Sequence, residues 1–141
     1  EAQSLAVPPP STGDGSIMIV VATDAPLDAA GLQRLARRAL VGLARTGSVM
    51  SNGSGDYVIA FSTAKENRRD PEAAVQPARS VAGEAITPLF QATAEATEEA
   101  IVNSLFRATS VRGHRGNAAA LPLAPVLQAL RRAGAVQAPA R

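Results

Sequence analysis

"STGDGSIMIVVATDAP", residues 11–26, decides how the rest of the chain is read. A run of small and polar residues stops at Ser16, and an uninterrupted apolar stretch then runs to Thr23. β-Branched and apolar residues without alternation are the pattern of a strand covered on both faces. Asp24 and Pro26 end it. Upstream, Pro8, Pro9, Pro10, Gly13 and Gly15 make residues 1–15 an extended, then flexible, linker. Ser16 stands at the junction. On these residues it reads either as an ordinary strand-end hydroxyl after a Gly-Asp-Gly turn, or as a nucleophile waiting for the bond before it to break.

Downstream, Asp28 is placed to cap a helix running to about Arg45. Leu32, Leu35, Ala36, Ala39, Leu40 and Leu43 form its apolar stripe, and Arg34, Arg37 and Arg38 read as a solvated face. Gly47 stops that helix. In "SNGSGDYVIAFST", residues 51–63, Asn52, Gly53 and Gly55 predict a tight loop, and Asp56 opens a second strand that is again apolar without alternation. Residues 64–85 are polar and irregular and read as a mobile surface loop. Thr87-Pro88 predicts a capped helix start. That helix should run to about Ala108, with Phe90, Ala94, Thr97, Ile101, Leu105 and Ala108 on one face. A Gly113/Gly116 loop follows. A short helix over 123–133 carries Leu123, Val126, Leu127 and Leu130 and stops at Gly134, with a frayed tail from Ala135. Residues 16–134 read as one domain.

This inventory is short of strands. Two strands make a marginal sheet, and three helices cover only one side of it. Further strands and the second cover are expected from a partner or from another part of the same protein.

Composition narrows the function classes. The 141 residues are 46% hydrophobic with only four aromatics, so alanine, valine and leucine must fill the interior. Arginine outnumbers lysine thirteen to one, which fits a GC-rich genome better than any single function, and net charge is +2. No basic cluster is interleaved with aromatics, which argues against nucleic-acid binding. There is no cysteine, hence no disulfide, thiolate chemistry or cysteine-based zinc site. No apolar run approaches the ~20 residues of a membrane span. The first ten residues lack the features of a signal peptide. Any targeting signal is expected upstream, and a bacterial cytoplasmic location is favoured over a periplasmic one.

The sharper reading of Ser16 has a physical basis. A serine hydroxyl is a weak nucleophile until a base takes its proton. An amino-terminal serine carries that base, because its α-amine has an unperturbed pKa of ~7.7–8.0, against ~10.4 for lysine. Glycine at position 15 leaves its carbonyl unobstructed and tolerates strained angles. Ser54 and Asp56, two apart at the mouth of the second strand, share a face if that strand starts there. Should the two strands be neighbours, Asp56 can orient the Ser16 amine and balance its charge. It cannot make that amine a stronger base, since a carboxylate raises an amine's pKa. Ser54 would relay hydrogen bonds. A turn with an Asx cap accounts for the same residues. His114, in a Gly/Arg loop, reads as exposed. Glu95, Glu98 and Glu99 read as a solvated helix face, and no spacing suggests a metal.

Together, "GDGSIMIVVATDAPL", "LARRALVGLARTGSVMSNGSGDYVIAFSTA" and "ITPLFQATAEATEEAIVNSLF" resemble the L-aminopeptidase/D-esterase and β-peptidyl aminopeptidase family of self-processing serine hydrolases. The resemblance spans about Gly13 to Phe106. It implies self-cleavage at Gly15–Ser16, Ser16 as N-terminal nucleophile of a smaller β chain, and Ser54 and Asp56 as supporting catalytic residues. Some family members carry Glu at the position of Asp56. It also implies an α+β fold, an αββα sandwich of the N-terminal-nucleophile-hydrolase kind, to which this chain contributes only part. The implied substrates are short peptides, amides or esters, including those of D- or β-amino acids. No cofactor or metal is implied. The implied partners are an α chain from the same precursor and further αβ pairs in an oligomer, with no nucleic acid and no membrane. That α chain would hold the asparagine that helps stabilise the oxyanion, so the isolated chain is expected to be inactive. Rival readings are a self-cleaving acyltransferase of the ornithine acetyltransferase type and a non-catalytic subunit or degenerate fragment.

Overall fold

The computed structural model describes residues 15–114 and 116–136. The proposed linker, apart from Gly15, and the tail beyond residue 136 lie outside the described residues. Two compact units emerge, one through Glu98 and one from Glu99 onward. They are taken separately.

In the first unit, strand β1 (Ile17–Thr23), helix α1 (Ala29–Arg45) and strand β2 (Asp56–Ser62) form a strand-helix-strand crossover. The strands are parallel, in the register Ile17↔Asp56 to Thr23↔Ser62. Parallel pairing needs a long return connection, and the helix supplies it. The Asp28 carboxylate accepts the Gly31 N–H at 2.7 Å, so the expected cap forms. Leu35, Ala39 and Leu43 of the predicted stripe are buried, while Leu32, Ala36 and Leu40 are half-buried.

Helix α2 (Thr87–Arg107) begins in this unit and packs its first turns on the same core, where Leu27, Leu35 and Ile86 are surrounded by Val21, Leu32, Leu89 and Phe90. Gly42 lets α1 and α2 touch backbone to backbone. A Cβ there would collide with the Ala94 carbonyl oxygen and stand 2.7 Å from Thr97 Cβ and 3.1 Å from Glu98 N.

Three expectations change. Thr87 does not cap α2, because its own backbone is already helical and a 3₁₀ turn (Gly83–Ile86) leads into it. Its hydroxyl instead lies 3.3 Å from the Glu84 carboxylate. The expected mobile loop over 64–85 contains 3₁₀ turns at Lys65–Asn67 and Gly83–Ile86, and its irregular remainder is pinned. The Asn67 amide donates to the carbonyls of Leu27 (3.2 Å) and Arg79 (2.9 Å) and accepts the Arg79 N–H (2.9 Å). Arg34 and Arg38 are not simply solvated: their guanidiniums stand 5.0 and 4.4 Å from the centre of the Phe90 ring. Cation–π attraction holds them against α2.

The sheet was expected to be covered on one side by this chain's helices and on the other by a part outside it, and within this chain one face is covered. Ile17, Ile19, Val21, Val58 and Ala60 point to the helix side and are half-buried, whereas Met18 (68%), Val20, Tyr57 (63%), Ile59 and Phe61 are exposed. The register sets Met18 beside Tyr57, Val20 beside Ile59 and Ala22 beside Phe61. The result is one continuous apolar face.

The second unit holds the end of α2, a small antiparallel hairpin of β3 (Val111–Gly113) and β4 (Gly116–Ala118), and helix α3 (Leu123–Arg132). The hairpin corrects the reading of 113–116 as a plain loop: Val111 pairs with Ala118 and Gly113 with Gly116. Three residues per strand are too few to show periodicity. The α3 stripe of Val126, Leu127 and Leu130 is only half-buried, Leu123 is exposed, and Gly134 ends the helix at a φ of 69°. In α2, Leu105 is exposed rather than part of a buried face.

Candidate active site

The site lies at the N-terminal ends of the two parallel strands. Ser16 immediately precedes β1 and Gly55 immediately precedes β2, so the Ile17↔Asp56 register sets Ser16 beside Gly55. The Gly55 N–H donates to Ser16 Oγ at 3.1 Å. The tight loop before β2 closes through the Ser54 N–H donating to the Ser51 carbonyl at 2.9 Å. One step earlier Met50 adopts a φ of 50°, the left-handed region that non-glycine residues rarely enter. Its N–H donates to Ser48 Oγ at 3.2 Å.

Ser54 is the hub. Its Oγ lies 2.5 Å from the Gly15 carbonyl oxygen and 2.8 Å from Asp56 Oδ1. The period-two argument for Ser54 and Asp56 therefore describes a real contact, although Ser54 sits in the loop and not in the strand. A hydroxyl has one proton to donate. With the Gly15–Ser16 bond intact, that proton faces two acceptors. Scission of the bond would put an amine beside them, with N–H donors to spare.

The two halves of the site meet at one peptide from opposite sides. Strand alternation sends Asp56 to the helix side with Ile17, and Ser16 to the open side with Met18. Asp56 and Ser54 thus address the Gly15–Ser16 peptide, while the Ser16 hydroxyl projects onto the open apolar face. There it meets a residue whose position the sequence did not disclose. A Cβ on Gly55 would stand 3.3 Å from Tyr57 Cε2 and 3.4 Å from Ser16 Oγ. Tyr57 Cε2 and Ser16 Oγ therefore both adjoin the space that Gly55 leaves empty. Gly55 and Tyr57 were legible only as loop and strand residues. A glycine directly before a strand was the available signal.

His114 is exposed at the hairpin turn of the other unit. Of the three glutamates, Glu98 meets Arg45 at 3.5 Å with both side chains largely exposed, an ion pair of the kind worth at most ~1 kcal/mol. Glu95 accepts from the Gln91 amide at 2.7 Å. Among the described residues no group of three His, Cys, Asp or Glu side chains converges as a metal site. No helix among them is long and apolar enough to cross a membrane.

The chain's likeness to known proteins runs through this site. The family model described as peptidase family S58 matches residues 1–119. A β-peptidyl aminopeptidase BapA from Sphingosinicella microcystinivorans is 45% identical over 104 residues, covering 74% of this chain and 26% of the relative. Among solved structures, the PH0078 protein of Pyrococcus horikoshii OT3 superposes with a TM-score of 0.76 at 47% identity. The L-aminopeptidase D-Ala-esterase/amidase of Ochrobactrum anthropi, described as a new variant among the Ntn hydrolase fold, superposes with a TM-score of 0.75 at 36% identity. Each superposition covers 84% of this chain and 34% of the other. The chain thus spans about a quarter of the length of the curated relative and a third of these solved chains, and over that portion it is an α+β part of an Ntn-hydrolase fold. With the family model matching most of its residues, the chain is a member of peptidase family S58.

Proposed function

We propose that the whole protein is a self-processing serine aminopeptidase, hydrolysing short peptides, amides or esters at their amino-terminal residue. The observation that carries this reading is the setting of the Gly15–Ser16 peptide. A hydroxyl donor stands at its carbonyl oxygen, and a backbone N–H stands at the Oγ that would attack it.

Processing begins when Ser16 Oγ attacks the Gly15 carbonyl carbon. Charge develops on the Gly15 oxygen, where the Ser54 hydroxyl is positioned to donate. The C–N bond breaks, Ser16 nitrogen takes a proton, and an ester joins Gly15 to Ser16 Oγ. Water hydrolyses the ester to leave a Gly15 carboxylate and a free Ser16 amine. In turnover that amine accepts the hydroxyl proton as Ser16 attacks the substrate carbonyl, then returns it to the departing amine. Water releases the acyl group. Asp56, one hydroxyl away through Ser54, balances the charge of the protonated amine.

The open sheet face supports a partner. Each exposed large apolar side chain on it forgoes roughly 1.5–3 kcal/mol of burial, and a two-stranded sheet is marginal by itself. An α chain from the same precursor covers this face, and αβ pairs then assemble further. The test is Ser16→Ala in the full-length precursor. We expect a single unsplit chain by intact mass and no amide hydrolysis. A precursor still split between residues 15 and 16 would overturn the reading.

A further inference from the structure

We propose that Tyr57 and Gly55 form the specificity wall of the acyl pocket. On this reading the Tyr57 ring packs against the substituent on the carbon next to the scissile carbonyl, and the missing side chain at Gly55 admits it. The inference rests on Ser16 being the nucleophile.

Three observations converge. The Ser16 hydroxyl lies on the open face, the side of Oγ that this chain itself leaves uncovered. On that face the Tyr57 ring edge and Ser16 Oγ lie within 3.3 and 3.4 Å of the point where a Gly55 Cβ would stand. Ring and hydroxyl are therefore separated by no more than the sum of those two distances. Tyr57 is also largely exposed, with Met18 beside it in the register, so the described residues leave its ring open to the rest of the protein and to whatever binds there.

The space is narrow. Carbon atoms pack at about 3.5–4.0 Å, so a carbon at that point would already crowd both neighbours. Once an acyl carbon is bonded to Oγ, its own substituents enter this region. A small substituent fits between ring and backbone, and a Cβ at Gly55 would compete with it directly. The Gly55 N–H donor survives a change to alanine, so the size effect is separable from the hydrogen bond to Oγ.

The experiment uses the full-length, processed enzyme and three p-nitroanilides: of glycine, alanine and leucine. Hydrolysis by wild type that is lost in Ser16→Ala establishes the Ser16 reading first, and hydrolysis kept in Ser16→Ala would defeat that reading instead. For Gly55→Ala we expect the alanine-to-glycine ratio of kcat/KM to fall about tenfold or more, the usual worth of one methylene-sized clash in a pocket. For Tyr57→Ala we expect the leucine-to-alanine ratio to rise, and for Tyr57→Phe both ratios to stay at wild-type values because the ring is kept. Chain splitting by mass reports that each variant has folded. Should Gly55→Ala fail to split, the Tyr57 pair decides the matter alone. Ratios unchanged in Tyr57→Ala, with hydrolysis intact, would overturn the inference.

Discussion

Removing the Ser54 hydroxyl is the sharpest test of how the site is built. Ser54 Oγ stands 2.5 Å from the Gly15 carbonyl oxygen, and among the described residues it is the hydrogen-bond donor to that atom. If scission starts by attack on this carbonyl, the developing oxyanion depends on that proton. Loss of one such donor typically costs about 100- to 1,000-fold in rate, or ~2.7–4 kcal/mol. The loop itself should survive Ser54→Ala, because its closing bond uses the Ser54 backbone N–H and not the side chain. We expect the full-length S54A precursor to split about 100- to 1,000-fold more slowly than wild type, followed by intact mass after synthesis, with an unchanged circular dichroism spectrum. Ser54→Thr, which keeps a hydroxyl, should recover most of the rate. A fully folded S54A precursor that splits at the wild-type rate would refute the role assigned to this hydroxyl.

Asp56→Asn in the processed enzyme removes a negative charge near the Ser16 amine. A nearby carboxylate favours the ammonium form, so its loss lowers the amine's pKa. The rising limb of kcat/KM against pH should move to lower pH, and movement to higher pH would contradict the placement. Gly42→Ala gains about 0.5–1 kcal/mol of helix propensity, but its Cβ meets backbone atoms of α2 that cannot swing aside. Overpacking of that kind costs about 1–3 kcal/mol, so urea denaturation should show a net loss, and a gain would mean that the helices cross less closely. Asn67→Ala deletes three hydrogen bonds that tie Leu27 and Arg79 to the turn. Limited proteolysis should then cut within residues 68–82 faster than in wild type, with equal rates counting against the clamp.

Local chemistry made much of the fold legible. The apolar runs after Ser16 and from Tyr57 needed no tertiary information to read as strands, nor did the Asp28 cap or the 3.6-residue stripe of α1. Contacts made at a distance in sequence were not legible. Asn67 reaches forty residues back to Leu27, and nothing in "KENRRD" announces that its amide replaces a backbone bridge. Arg34 and Arg38 obey the solvated-face pattern, yet α2 brings Phe90 under them. The strand pattern predicted two covered faces, and the observed unit covers one. The residues themselves ask for a cover that lies outside this chain's described structure.

At the site the division is similar. That Ser54 and Asp56 can share a side followed from their spacing on the condition that the strand starts there, and the structure sets the two side chains 2.8 Å apart. That they address the Gly15–Ser16 peptide depends on the parallel register, and a register is a long-range choice: a slip of one residue would turn every side chain of β2 to the other face. Sequence by itself thus determined that the segments after Ser16 and from Asp56 are strands, where the glycine-serine junction falls and which hydroxyl and carboxylate stand two residues apart. Only the tertiary structure decided that Gly55 stands beside Ser16, that Ser54 reaches across to the Gly15 carbonyl, and that Tyr57 lies near Ser16. Strand formation is set by each residue's own shape and polarity, whereas pairing is set by two segments about forty residues apart meeting across the α1 crossover.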